Sequence, residues 1–376
     1  MKRLKIITRY QFISKLIRDL LGIFTLINFS FSKKLSKKLL EELNMFNISE
    51  LPEIGQWPTP DPFLFLVHHH DNYPIANKDM GPNAKLDNRN IGSDFSNIDG
   101  WSMYHGDKIP GFPRHPHRGF ETITIVEKGL IDHADSMGFS ARYGDGDVQW
   151  LTAGDGIQHS EMFPLLNQNK KNQIDFFQIW INLKSTKKRV KPNFSMFWKD
   201  EIPKVSIVDH NNIKIEVEVI AGEYKQNNAP KPPPNSYASN SDSHVNIWKI
   251  KMYPKSNWIL PKVENGVSRT LYIYEGKGIK INNKTISSGQ MVQFLNYEDI
   301  LLTCLDSQTK ILLLQAKPIG ESVYKHGPFV MNTREEIVEA FSDFNKTGFG
   351  EWVWKDSGPV HGKEYKKFAF GDYKID

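Results

Sequence analysis

Four side chains that can bind a metal ion stand in two short motifs of this sequence. The first motif, HPHRGFE, contains His115 and His117, and the second, QHSEM, contains His159 and Glu161. Successive side chains of a β-strand point to opposite faces, so residues two apart share a face. If each pair lies on a strand and the two strands face one another, three imidazoles and one carboxylate converge. The sequence therefore predicts a three-histidine, one-carboxylate metal site.

Other candidate ligands carry a less specific signal. Glu121 shares the parity of the two HPH histidines, so a regular strand would turn it inward, as a hydrogen-bond partner of a ligand. Gly119 either leaves room for a substrate or serves a turn. The HHH run at residues 68–70 alternates faces, so at most two of its imidazoles can reach one ion, and no carboxylate motif stands beside it at ligand spacing. We favour a polar strand end or pocket rim for this run.

The segments that follow the histidines read as short strands separated by Gly and Asp turns. Residues 122–129 are β-branched and end in a turn, and residues 148–151 (VQWL) follow a second turn. This pattern predicts a β-sandwich or barrel. Residues 272–278 and 289–295 repeat it at similar intervals, and 376 residues exceed the usual single-domain length. We therefore expect a duplicated β-domain.

The second half does not repeat the metal ligands. We aligned the two halves on their similar turns and read off the counterparts of the candidate ligands. These counterparts cannot form a metal site: Val263, Asn265, Arg269, Thr303 and Leu305. No histidine lies between residues 244 and 326 to replace them. The sequence therefore predicts one metal ion per chain, in the first half.

The net charge of +5 belongs to an N-terminal tail. Residues 1–40 contain ten Lys or Arg residues and one acid, Asp19, around an apolar stretch at residues 20–27. That stretch is too short to span a membrane, which takes about 20 apolar residues. A targeting segment, a helix that contacts a membrane surface and a plain appended helix remain open. Outside the tail no basic stripe suggests direct nucleic-acid binding, and the single cysteine, Cys304, excludes an intrachain disulfide.

Four regions follow from these patterns. Residues 1–50 form the basic and apolar tail, and residues 51–222 form the metal-binding domain. The segment 223–245, rich in Pro, Asn and Ser, is an exposed linker or long loop. Residues 246–376 form the metal-free domain, and they end with a short helix after the HGPFVMN motif.

The motifs HPHRGFETITIVEKG, DVQWLTAGDGIQHSEM and HGPFVMNTREEI resemble those of the pirin family, within the cupin superfamily. The resemblance runs from about residue 61 to about residue 351. It implies an all-β fold of two stacked, jelly-roll-like cupin barrels with a short C-terminal helix. It also implies Fe²⁺ in the N-terminal barrel alone, held by His115, His117, His159 and Glu161, with another divalent metal as an alternative.

The resemblance further implies quercetin 2,3-dioxygenase activity, in which a flavonol ring is opened by dioxygen and carbon monoxide is lost. Glu161 would then also act as the catalytic base for the substrate hydroxyl. The alternative, also found among pirins, is an iron-binding, redox-responsive transcriptional co-regulator that docks on a protein partner. A structural zinc site is a third reading. Cytoplasmic localisation is the default expectation unless the tail directs the chain elsewhere.

Three further side chains are given structural roles by the sequence. His133 stands between Asp132 and Asp135 and is expected in a surface turn. Arg118 is expected as a charge on a rim. His326, in the C-terminal motif, is expected as a core or interface histidine.

Overall fold

The computed structural model describes residues 45–370, so residues 1–44 of the predicted tail lie outside the described residues, and with them the targeting, membrane-surface and appended-helix alternatives. The end of the predicted tail, Phe46–Glu50, is a strand. The strands of the first half are β1 (Phe46–Glu50), β2 (Phe63–Tyr73), β3 (Gly111–His117), β4 (Phe120–Lys128), β5 (Leu130–Asp135), β6 (Ser140–Gly144), β7 (Val148–Thr152), β8 (Ile157–Met162), β9 (Asn172–Asn182), β10 (Asn193–Phe197), β11 (Lys204–Val208) and β12 (Lys214–Ala221).

The remaining elements are β13 (Glu223–Tyr224), β14 (Asn227–Asn228), β15 (Asn246–Met252), β16 (Asn257–Leu260), β17 (Ser268–Glu275), β18 (Ile279–Ile281), β19 (Lys284–Ile286), β20 (Gln290–Phe294), β21 (Ile300–Cys304), β22 (Thr309–Ala316), β23 (Tyr324–His326), β24 (Phe329–Met331), the helix α1 (Arg334–Thr347) and β25 (Phe368–Phe370). Short 3-10 helices lie at Ile98–Gly100, Ser185–Lys187, Tyr237–Ser239 and Ser241–Ser243. Within residues 45–370 no helix is long and apolar enough to cross a membrane.

Two β-barrels account for most of these strands. The first barrel is built from the sheets β10-β7-β4-β9-β2 and β25-β6-β5-β8-β3. The second is built from the sheets β1-β20-β17-β22-β15-β12-β11 and β16-β21-β18-β19. The all-β, two-barrel prediction is confirmed, because alternating apolar residues let each sheet bury one face.

Buried side chains also join the two barrels. One apolar cluster contains Phe177 and Ile179 from β9 of the first barrel together with Leu312 and Leu314 from β22 of the second. Neighbouring residues of β9 point the other way, so Gln178 faces the interior of the first barrel. The same strand thus supplies both the contact between barrels and part of the interior that holds the histidines.

Two segments cross between the regions defined from the sequence. Strands β11 and β12 fall within residues 51–222, yet β12 pairs with β15 in the sheet of the second barrel. Strand β25, at the end of the chain, pairs with β6 of the first barrel. The domain boundaries remain a prediction. In the structure, β11 and β12 add to a sheet of the second barrel, and β25 adds to a sheet of the first.

The segment 223–245 is less exposed than expected for a linker. Ser236 and Tyr237 are buried, and the Ser236 hydroxyl donates a hydrogen bond of 2.7 Å to Glu121 Oε2. The Tyr237 hydroxyl donates to the Lys317 carbonyl at 3.0 Å. These contacts fix the segment on both barrels, which the Pro-rich composition alone does not reveal.

The C-terminal motif clamps the helix α1 to the first barrel. Thr333 and Glu336 form a capping box at the start of α1. Arg118 is only 3% exposed, and it donates to Asp343 Oδ2 of α1 at 2.8 Å and to the Asp155 carbonyl at 2.6 Å. The prediction of a rim charge was wrong, because Arg118 is a buried anchor. His326 is exposed, so it is not a core histidine, and its ring centroid lies 5.6 Å from that of Phe341 on α1.

Candidate metal centre

Strands β3 and β8 bring the three predicted histidines together. The strands are antiparallel neighbours, and His115 lies directly opposite His159. His117 shares the face of His115, as alternation along a strand requires. One ligand atom from each of the three imidazoles lies within 4.8 Å of those of the other two. The residues that the sequence singled out thus form one cluster inside the first barrel.

The unpaired nitrogen atoms of this cluster fit a metal ion. In the part of the chain that the structure describes, His117 Nδ1 and both ring nitrogens of His159 are buried without a hydrogen-bond partner. A buried polar atom without a partner is destabilising, so native proteins rarely keep one without a reason. His115 Nδ1 lies 2.8 Å from the Pro113 carbonyl, which fixes that nitrogen as the donor and leaves Nε2 for an ion.

Burial also keeps the imidazoles neutral. Desolvation lowers the pKa of His115 to about 4, and it lowers the pKa values of His117 and His159 well below the ordinary value. The neighbouring imidazoles add to the shift because they repel a second positive charge. Neutral imidazoles retain the lone pair that binds a metal.

Glu161 lies at the edge of the cluster. Its Oε2 is 3.8 Å from His159 Nε2, and the carboxylate accepts hydrogen bonds from Gln178 Nε2 at 3.2 and 3.3 Å. Thr124 Oγ1 donates a further bond at 3.2 Å. Burial raises the pKa of Glu161 above the usual range. The carboxylate is therefore beside the histidines, and its service as a fourth ligand remains a prediction.

Glu121 faces away from the histidines. Its carboxylate accepts hydrogen bonds from Thr152 Oγ1 at 2.6 Å and from Ser236. The parity argument fails because β3 ends at His117 and Glu121 belongs to β4, in the other sheet. Between them Gly119 has φ +85°, and an added Cβ would lie 2.0 Å from the Val330 carbonyl oxygen. Gly119 is thus a turn glycine packed under β24, and it does not leave room for a substrate.

His133 was wrongly expected in a surface turn. It is fully buried on β5, and its ring centroid is 5.5 Å from that of His159. Its Nε2 is 3.0 Å from Asp135 Oδ2. The flanking acids misled the prediction, because Asp132 is paired with the buried Arg142 and Asp135 binds backbone N–H groups of its own turn.

A cavity of 810 Å³ opens onto the cluster. It reaches His115, His117 and Glu161, and aromatic side chains form much of its wall: Phe65, Phe95, Tyr104, Phe112 and Trp180. The three histidines at residues 68–70 also line it, which agrees with the predicted pocket rim. The volume is in the range that holds a small-molecule ligand.

A double-barrel cupin with one buried three-histidine cluster is the class that this fold and site define. Residues 49–181 match the family model described as pirin, and residues 247–350 match the pirin C-terminal cupin domain. The chain belongs to the pirin family.

Individual relatives support the assignment. A pirin-like protein of Caulobacter vibrioides is 34% identical over 243 residues, which cover 65% of this chain and 82% of that protein. Pirin of Rattus norvegicus is 33% identical over 67% of this chain and 83% of its own length. The crystal structure of quercetin 2,3-dioxygenase from Acinetobacter baumannii is similar with a TM-score of 0.63 at 25% identity, over 82% of this chain and 98% of that one.

Proposed function

We propose that this protein is an iron-dependent quercetin 2,3-dioxygenase, which opens a flavonol ring with dioxygen and releases carbon monoxide. The observation that carries the proposal is the aromatic-walled cavity, because it leads directly to His115, His117 and Glu161. A flat polyphenol matches such a wall in shape and in its capacity for ring contacts. The name of the similar Acinetobacter baumannii enzyme points to the same substrate class.

His115, His117, His159 and Glu161 would hold the ion. Three imidazoles and a carboxylate suit Fe²⁺, and they leave coordination positions open for substrate. When bound, Fe²⁺ would supply a positive charge that acidifies the flavonol hydroxyl and a site at which dioxygen reacts.

The protein's own groups would orient the substrate and receive its proton. Phe112 and Trp180 line the approach to the histidines, where they would pack against the flavonol rings. Glu161 would accept the proton of the flavonol 3-hydroxyl, since its carboxylate is buried and held in place by Gln178 and Thr124.

The test is a flavonol-decay assay with the full chain loaded with Fe²⁺ without air. Absorbance of quercetin is followed with and without dioxygen, and carbon monoxide is measured in the gas phase. Decay that requires dioxygen and yields carbon monoxide is the expected result. Protein that holds iron but turns over no flavonol in a panel would contradict the proposal and favour the co-regulator alternative.

A further inference from the structure

Strand β2 carries two histidines on the face opposite to the predicted metal centre. His68 and His70 share one face of β2, while His69 points the other way and stacks on Phe176 with ring centroids 4.5 Å apart. His69 Nδ1 is also 2.9 Å from the Tyr104 hydroxyl, so this imidazole has its partner inside the barrel. The HHH run is therefore divided between two faces of the sheet.

A carboxylate from the neighbouring strand completes the outer pair. Asp175 of β9 lies directly opposite His70 in the antiparallel register of β2 and β9. His68 Nε2 is 2.8 Å from Asp175 Oδ1, and His70 Nδ1 is 3.1 Å from Asp175 Oδ2. One ligand atom from each residue lies within 4.8 Å of the others. The sequence did not reveal this group because Asp175 is more than a hundred positions away.

The dimensions of the group suit a small dication. Ligand bonds of about 2.0–2.1 Å in a tetrahedral site place neighbouring ligand atoms roughly 3.3 Å apart. The two N···O distances of 2.8 and 3.1 Å are already close to that separation. All three ligand atoms lie within 4.8 Å of one another, so an ion can displace the two imidazole–carboxylate hydrogen bonds and sit among them.

The charge of the group is also compatible with a bound cation. The side chain of Asp175 is 8% exposed, and among the described residues its ion-pair partners are the two imidazoles. Lys128 lies opposite Asp175 on β4, but its Nζ is bonded to Gln173 Oε1 at 3.2 Å. The hydrogen bond to Asp175 raises the pKa of His70, so a proton on this imidazole balances the carboxylate in the metal-free chain, and a dication held by the two imidazoles would replace that proton.

We propose that His68, His70 and Asp175 form a second binding site for a first-row divalent metal such as Zn²⁺, at the edge of the first barrel. The two imidazoles favour such metals over Mg²⁺ and Ca²⁺, and a carboxylate is a regular third ligand of Zn²⁺. The side chain of His70 is 49% exposed, so an ion can enter from solvent and retain water. Bound metal would tie the edge strand β2 to β9 beside the cavity mouth.

The test counts Zn²⁺ bound to the full chain after chelation and equilibrium dialysis. Wild type is expected to bind two ions, and His70→Asn, Asp175→Asn and His159→Asn one ion each. The double variant His70→Asn with His159→Asn is expected to bind none. His210→Asn changes an exposed histidine outside both groups and should retain two ions.

If His70→Asn retains the interior ion, the first barrel of this variant is folded. Because His70 is half-exposed, its substitution tests the proposal even if Asp175→Asn fails to fold. A loss or at least tenfold weakening of one site in His70→Asn supports the proposal. Binding of a single ion by wild type, or of two ions with unchanged affinity by His70→Asn, overturns it. Neither result depends on dioxygenase activity.

Discussion

The strand pair β3 and β8 of the first barrel has a counterpart in β16 and β21 of the second. Both pairs are antiparallel, and His115 faces His159 in one where Trp258 faces Leu302 in the other. Trp258, Leu260 and Leu302 are buried and apolar. The second barrel therefore shows that this architecture closes without imidazoles at these strands.

The buried side chains of these two strand pairs have opposite effects on the stability of the protein. Buried imidazole nitrogens without partners reduce stability, whereas Leu302 and Trp258 contribute to it by removing apolar area from water. His117 and His159 thus carry a cost that Trp258 and Leu302 avoid on the corresponding strands. A bound ligand that satisfies those nitrogens explains why the first barrel tolerates them.

The largest effect is expected from His159→Ala. Loss of a direct ligand should weaken interior metal binding by more than about 100-fold, beyond the roughly 10–100-fold typical of outer partners. The matched change, Leu302→Ala, should lower stability by about 2–5 kcal/mol and leave metal binding intact. Metal titration and urea unfolding of both variants measure the two quantities. Equal metal affinity in the two variants would show that His159 is not a metal ligand.

The next effect concerns Glu161, which lies beside the histidines. Glu161→Gln should reduce turnover by about 10²–10⁴-fold if the carboxylate takes the substrate proton, while the three histidines still retain iron. Iron content and kcat are measured on the same preparation. Glu121→Gln removes a buried carboxylate of the same barrel that contacts Thr152 and Ser236 instead, and it should keep kcat. A fully active Glu161→Gln protein would remove Glu161 from the mechanism.

The sequence revealed the residues of the interior cluster because alternation along a strand is a local property. The HxH of β3 and the HxE of β8 each lie within one strand, and a close family resemblance joined them. The sequence also predicted two barrels, the second of them without the metal-ligating histidines. Counting from the turns nevertheless reached Val263 and Asn265, whereas the counterpart strand of β3 ends at Leu260.

The sequence patterns could not predict contacts between strands that are far apart in the sequence. Gln178 and Thr124 hold Glu161 from β9 and β4, and Asp175 joins His68 and His70 across a strand pairing. Such partners depend on the register of the sheet, which a single sequence does not specify. The burial of His133 was missed because its flanking acids suggested a surface turn, whereas Asp132 pairs with the buried Arg142.

A histidine introduced into the interior of the second barrel should lower the stability of the protein. Leu302→His places an imidazole where Leu302 is fully buried, and we expect a loss of about 3–5 kcal/mol from lost apolar packing and an unpaired polar group. The reverse change, His159→Leu, should lose far less in metal-free protein, because it removes unpaired nitrogens. Urea unfolding with a chelator present measures both. Comparable losses would show that the interior histidines stabilise the fold by themselves.

The smallest effect is a pH dependence of stability that arises at Glu121. Glu121 and Arg269 are each the second residue of the corresponding strands β4 and β17, and both are fully buried. Burial raises the pKa of Glu121 to about 7 from its ordinary 4.5. Between these values the folded chain holds a proton that the unfolded chain has lost. This group's contribution is therefore present below pH 4.5 and is lost as the pH rises through 7.

Relative to wild type, Glu121→Gln should gain stability on the order of 1–3 kcal/mol as the pH rises from 4.5 to 7, because only wild type loses the contribution of this group. Arg269→Met is the matched control. Its guanidinium donates to the carbonyls of Pro261, Asn296 and Glu298. Burial lowers the pKa of Arg269 only to about 10, so it stays charged throughout the window and its loss should shift stability by the same amount at each pH. A wild-type pH slope that survives in Glu121→Gln would place the titrating group elsewhere in the chain.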